Sequence, residues 1–296
     1  MAKEKIPQTP DENTITANVI SDAMSSAIVE EARREGLPLK DALPDIVGSA
    51  RFTLLGEYHW REFEILKTIV SDIIPNLKEA GLTHLAIEVS SDTQPILDSF
   101  DPSMPNAAIE LEKLIREAGI KWLNEFDLQM IISAMQENIK VLAIDKPEPG
   151  YFDERLNNTA PYQNSRDLHM QQVLDTHTDP DSHVLIYIGS SHVHKSSVES
   201  DKESISSHRS VKITRLGALL SRSINDPGAV VSIRALLGGH KISGYYYDND
   251  SYIAPGGSGD VYTDAIIVPE KGIFKGGAST DSDFATLLIP RNKEND

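Results

Sequence analysis

The residue types suited to proton transfer or metal ligation gather at a few short places: Glu57 with His59, Glu88, Asp145, and His192 with His194. Imidazole changes charge near neutral pH and can ligate through either ring nitrogen, so it serves general acid–base or metal chemistry. Two of these places share the form G-x-x-H, Gly56-Glu57-Tyr58-His59 and Gly189-Ser190-Ser191-His192, each beginning where an apolar run stops. Glycine there permits a sharp turn with close backbone approach, and an imidazole three residues on can point into a crevice. His194 lies two residues after His192, so in an extended segment the two rings share a face. That spacing suits a metal pair, and equally one functional and one exposed histidine. One acidic residue at a loop start can be a solvated group or a helix cap. Carboxylates and imidazoles at four separate strand ends exceed what turn composition requires.

The elements that would position these groups are strands alternating with helices. Apolar runs at 52–55, 85–89, 141–144, 184–188, 230–233 and 265–268 read as strands, the last suited to an edge. Between them, helical spacing appears at Phe63, Leu66, Ile69, Val70 and Ile73, and again near 107–118, 128–138 and 168–174. Continuous apolar strands separated by helices predict an α/β fold: a mostly parallel central sheet with helices on both faces, with room for an antiparallel edge strand. In such sheets ligands bind beyond the carboxyl ends of the strands, where the ionisable residues fall.

Residues 1–14 read as a flexible arm, and 15–270 as one α/β domain opening with an amphipathic helix through Ile15, Val19, Ala23 and Ala27. Residues 271–296, rich in Gly, Ser and Asp, read as a partly disordered tail. The 45 acidic against 28 basic residues give a net charge of -17, which repels phosphate backbones and anionic lipid, so nucleic acid is not an expected partner. With no cysteine, thiolate nucleophiles, disulfides and sulfur-ligated metals are excluded. No apolar run is long enough to span a bilayer and no signal peptide opens the chain, so the default expectation is a cytoplasmic protein.

The stretches LLGEYH, AIEV, AID, NSRDLHMQQVL, VLIYIGSSHVHK and RLGALLSR resemble, in that order, the superfamily uniting erythromycin esterases, Tiki-type peptidases and ChaN-like haem-binding proteins. Counting YTDAIIVPE as the closing strand, the resemblance covers roughly residues 52–270. It implies that Glu57 and His59 form the first motif, His59 acting as general base on a water or holding a metal. Glu88 would orient that histidine or ligate. Arg166 would clamp a substrate carboxylate or steady an oxyanion; read alone it is an ordinary helix salt-bridge residue. His192 would be the acid, an electrophile or a second metal ligand. Asp167 and Met170 would be structural, one bonding locally and the other filling the core. Tyr58 reads as a ring packed under the loop, or as a phenol over the substrate. Asp145 could join the site or pair with Lys146. The lipid anchor of ChaN-like lipoproteins has no cysteine here, and Trp60 after His59 departs from the first motif of erythromycin esterases.

Other patterns fail. Gly256, Gly257 and Gly259 complete no dinucleotide fingerprint, Tyr252 and Ile253 interrupt a calcium loop begun by Asp248 and Asp250, and no G-x-S-x-G occurs. Two functions remain as expectations. One is hydrolysis of an ester or amide in a small-molecule or peptide substrate, by Glu57, His59, Glu88, Arg166 and His192, a divalent metal on His59 and His192 being an option. The other is binding of haem or a similar planar ligand, with Tyr58, His192 or His194 as ligand.

Overall fold

A computed structural model describes residues 37–57, 64–119, 123–147, 160–195, 198–200, 211–224, 226–235, 265–269 and 285–288. The expected N-terminal helix, and the loop carrying Tyr58 and His59, lie outside the described residues. Among the described residues, ten strands occur in the order β1 (Leu37–Pro38), β2 (Phe52–Glu57), β3 (His84–Ser90), β4 (Lys140–Asp145), β5 (Val184–Gly189), β6 (Val198–Ser200), β7 (Val211–Ile213), β8 (Val230–Ala235), β9 (Ala265–Pro269) and β10 (Ala285–Leu288). The main sheet runs β1-β10-β9-β8-β2-β5-β3-β4, while β6 and β7 pair separately. From β9 to β4 every neighbour is parallel; β10 pairs antiparallel with β9, and β1 with β10. The mostly parallel α/β sheet is therefore present, with antiparallel pairing at one edge. Strand β9 is not itself the edge, because β10 covers it. That covering strand comes from the segment whose Gly/Ser/Asp content suggested disorder.

Burial explains why the inner strands read as unbroken apolar runs. All six residues of β2 and all six of β5 are buried, since helices cover both faces. Leu55, Leu85, Ile87, Val141, Ala143, Leu185 and Tyr187 point to one face. There they meet α1 (Leu39–Ser49), α2 (Glu64–Glu79), α3 (Gln94–Ser99), α4 (Ala107–Glu117) and α5 (Glu125–Gln136). Phe52, Leu54, Ala86, Leu142, Ile144, Val184, Ile186 and Ile188 point to the other, against α6 (Ala160–His177) and α7 (Leu216–Ser223). Alternation along each strand produces this division.

Helix α6 is longer than its apolar spacing indicates. Met170 and Leu174 enter the core, but Leu168 is exposed, and the first turns present polar side chains toward the strand ends. A helix whose buried side is partly polar loses the apolar stripe by which a sequence announces it. Helix α5 is clearer, because Asn124 and Asp127 form a reciprocal cap.

The crossovers place a crevice. After β2 and β3 the chain runs over the α2–α5 face; after β4 and β5 it returns over the α6–α7 face. Neighbouring strands β3 and β5 thus send their following segments to opposite faces, the geometry that opens a binding crevice at strand carboxyl ends. Both motif glycines lie inside strands, at Gly56 in β2 and Gly189 in β5, rather than after them. A Cβ on Gly56 would stand 2.8 Å from Val193 Cγ1 and 3.0 Å from Ser190 Cα, so glycine serves close approach of the segment after β5. Gly217 does the same from α7: its N–H donates to His192 O at 2.9 Å, and a Cβ would lie 2.5 Å from Val193 O.

Gly217→Ala is therefore expected to lower stability by about 1–3 kcal/mol through overpacking against backbone that cannot rotate away. Urea unfolding checks this; an unchanged midpoint would show that α7 and the segment after β5 can separate at little cost.

Candidate functional site

At the crevice the ladder between β3 and β4 breaks. Pairing is regular to Ile87↔Ala143 and resumes at Ser90↔Asp145, so Glu88 and Val89 face the single residue Ile144. Such a bulge re-aims a side chain. Pairing with β5 also ends at Ile87↔Tyr187, and the Glu88 carboxylate takes over beyond it, accepting the Gly189 N–H at 2.6 Å through Oε2.

Arg166, from α6, fills the space between two strand ends. Its Nη2 donates to Glu88 Oε1 at 2.7 Å and to Asp145 Oδ2 at 2.6 Å, and its Nε to Asp145 Oδ1 at 2.9 Å. Burial acts against the charge, but Asp145 and Glu88 outweigh it and hold the Arg166 pKa well above its ordinary value. Asp145 also accepts the Lys146 amide at 2.7 Å, while the Lys146 ammonium donates to Ser165 Oγ at 3.1 Å, so Asp145 belongs with Arg166 and not with the lysine side chain.

The next residue on the helix, Asp167, is fully buried and reaches the segment after β5 instead of bonding locally. Its Oδ1 accepts from His192 Nδ1 at 2.7 Å and from the Leu216 amide at 2.7 Å. That bond assigns the ring proton to Nδ1 and leaves Nε2 as the atom able to exchange a proton. Nε2 lies 3.6 Å from Glu88 Oε1. Arg215, just before α7, donates through Nη1 to Gln163 Oε1 at 3.0 Å and stands 3.7 Å from Asp167 Oδ2.

Among the sequence-selected residues, Glu88, Arg166 and His192 thus come together. Glu57 points to the opposite face of the sheet. It is buried, accepts from Tyr187 Oη at 2.6 Å, and lies 3.3 Å from Lys67 Nζ, which also pairs with Asp127 at 2.7 Å. Alternation along β2 explains the separation: Glu57 shares the side of Leu55, facing α2 and α5. His194 is buried beside α7, its carbonyl close to Gly217. Asp167 in its long-range role and Arg215 escaped the sequence reading. The arginine opening RLGALLSR carried a signal only as part of that motif, and nothing local distinguishes Asp167 from a solvated helix residue.

The described carboxylates do not suit a metal ion. Glu88 and Asp145 have each oxygen engaged by Arg166 or a backbone amide, and no group of three His, Asp or Glu side chains is arranged for an ion among the described residues. His192 is buried, with its Nε2 3.6 Å from Glu88 Oε1. Of the remaining candidate ligands, His194 is described, while His59 and Tyr58 lie outside the described residues. No described helix is long and apolar enough to cross a membrane.

No family model matches the chain, and no curated protein matches it. Solved structures do resemble it. One is the type III effector HopBA1, at 17% identity over 70% of this chain and 86% of that one, with a TM-score of 0.44. Another is ChaN of Campylobacter jejuni, described as binding haem cofacially, at 17% identity over 67% of this chain and 86% of that one, with a TM-score of 0.38. The C-terminal region of Pasteurella multocida toxin, described as having a thiol-protease-like catalytic triad, is similar at 11% identity over 93% of this chain and 29% of that one, with a TM-score of 0.49. At these identities the likeness concerns the fold alone.

The Glu57 network predicts an alkaline limit to stability. Burial acts against the Lys67 charge, but Glu57 and Asp127 outweigh it and raise its pKa above the ordinary 10.5. Burial, then the Glu57 charge, raises the Tyr187 pKa well above 10.0. Both groups hold their protons more tightly when folded, so their contribution is complete below pH about 10 and is lost as pH rises further. Tyr187→Phe is expected to cost about 1–3 kcal/mol at neutral pH, by depriving Glu57 of a buried donor, and to flatten the decline above pH about 10. Urea midpoints from pH 7 to 11 test this; an equally steep decline in the variant would remove Tyr187 from the account.

Proposed function

We propose that the protein hydrolyses an ester or amide bond at the crevice between β3 and β5. The observation carrying this reading is the buried Asp167–His192 pair, with Nδ1 bonded to the carboxylate at 2.7 Å and Nε2 turned toward Glu88 and Arg166. A carboxylate that holds one ring nitrogen orients the imidazole and stabilises the imidazolium formed when the other nitrogen takes a proton.

In this reading water attacks the scissile carbonyl and a general base removes its proton. His59 is the base candidate, because the chain runs only two residues from Glu57 at the end of β2 to reach it, and β2 neighbours β5. Protonated Nε2 of His192 then gives its proton to the leaving oxygen or nitrogen. Arg166 supplies positive charge to the oxyanion; Glu88 and Asp145 hold its Nε and Nη2, leaving Nη1 without a partner among the described residues. A preorganised donor of this kind acts without reorganising during the reaction. Glu57 supports the strand end through Tyr187 and Lys67.

The test compares His192→Ala, Asp167→Asn and His59→Ala with the parent protein on a panel of activated esters and short peptides, with circular dichroism to monitor the fold. Loss of a positioned acid or base should lower kcat by about 10²–10⁴-fold. Asp167→Asn should fall with His192→Ala, because an amide no longer stabilises the imidazolium. Turnover unchanged in both histidine variants would sink the proposal.

A further inference from the structure

The Ser91 hydroxyl meets an imidazole rather than a backbone carbonyl. Ser91 follows β3 directly, opening the short 3-10 turn Ser91–Thr93, and its Oγ lies 3.1 Å from Nε2 of His169 on α6. Ser49, Ser99, Ser165 and Ser223 instead donate to carbonyls three or four residues earlier in the chain. Capping does not occupy Ser91 either, because Ser90 Oγ accepts the Asp92 amide. Ser91 and His169 are 78 positions apart, so only the packing of α6 over the end of β3 brings them together.

The pair belongs to the same strand end as the groups described above. Glu88 and Ser91 stand three residues apart, as do Arg166 and His169 on α6. Helix positions at that spacing are neighbours on one face. Arg166–Glu88 at 2.7 Å and His169–Ser91 at 3.1 Å are thus successive bridges from one helix to one strand end. A turn from a parallel strand into a helix is also where other α/β folds present a nucleophile. Both residues are partly exposed, so a reagent can reach the hydroxyl.

We propose that Ser91 is a nucleophile with His169 as its base, and that the pair accepts an acyl group from an ester. A serine hydroxyl becomes reactive when an adjacent base takes its proton. His169 carries its ring proton on Nδ1, and Nε2 takes the Oγ proton as Oγ bonds to the carbonyl carbon. The tetrahedral adduct then expels the alcohol, which receives the proton from Nε2, and an acyl-serine remains. Water deprotonated by the same nitrogen releases the acid and restores Ser91. This route uses neither His59 nor His192, so it stands apart from direct attack by water.

Two measurements on the full chain test the pair. An alkyl fluorophosphonate, which loses fluoride to an activated serine and stays attached, is added and located by peptide mass spectrometry. The parent should be labelled on Ser91, Ser91→Ala should not, and Ser99→Ala should match the parent. His169→Gln should be labelled at least about 100-fold more slowly, because its amide keeps a hydrogen bond to Ser91 and takes no proton. The chain has no cysteine, so Ser91→Cys places its only thiol beside His169. Alkylation of that thiol by iodoacetamide at neutral pH should slow at least about tenfold when His169→Gln is added, since the imidazole favours the thiolate. Ser91 left unlabelled, labelling equally fast in His169→Gln, or alkylation indifferent to His169 overturns the proposal. Labelled Ser91 with ester turnover unchanged in His59→Ala and His192→Ala leaves the pair standing and removes the reading built on His192. Turnover that falls in those variants while Ser91 stays unlabelled does the reverse.

Discussion

The Arg166 guanidinium between Glu88 and Asp145 joins elements that the chain brings together only after folding. Helix α6 packs on one face of the sheet, while the two carboxylates arise from neighbouring strands β3 and β4. Planar two-nitrogen contact with Asp145 and a third bond to Glu88 fix the helix's rotation over the strand ends. A buried pair of this sort need not stabilise a fold relative to apolar replacement, yet loss of one partner leaves an uncompensated charge costing about 3–5 kcal/mol. Its structural effect is orientation. Once Arg166 is set, the next residue, Asp167, has no freedom to turn outward and meets His192.

Two polar networks share the carboxyl end of the sheet on opposite faces. Glu57, Tyr187, Lys67 and Asp127 lie on the α2–α5 side, and Glu88, Asp145, Arg166, Asp167 and His192 on the α6–α7 side. The division follows from strand alternation, and the β3 bulge modifies it by freeing Glu88 to cap Gly189. The sheet is thus stiff on one face, where Glu57 is tied to two helices, and chemically equipped on the other. Stiffness beneath a site matters because misplacement by about 1 Å can cost orders of magnitude in rate.

Much of the architecture was legible because burial on both faces leaves a plain mark. Strands β2, β3, β4, β5 and β8 appear as apolar runs for the same reason that they form an inner parallel sheet. The start of α6 was not legible, since its core-facing side carries Arg166 and Asp167 among polar neighbours. Strand β10 was hidden for a different reason: a four-residue strand within a Gly- and Ser-rich region carries too short an apolar signal to stand out. The motif glycines were noticed, but their purpose lay in contacts with Val193 and Ser190 that no local pattern reveals.

The amino-acid sequence by itself determined the fold class, the strands that carry ionisable groups, and the strand ends as the place where those groups fall, because hydrophobic periodicity and topology are local or nearly local properties. Tertiary structure alone decided which of those groups meet. It put Glu57 on one face and Glu88 on the other, paired Asp167 with a histidine 25 positions away, and brought Arg215 to the same helix face as Arg166. Such pairings depend on side-chain direction and on the path of each crossover through space, and neither is written in residue spacing.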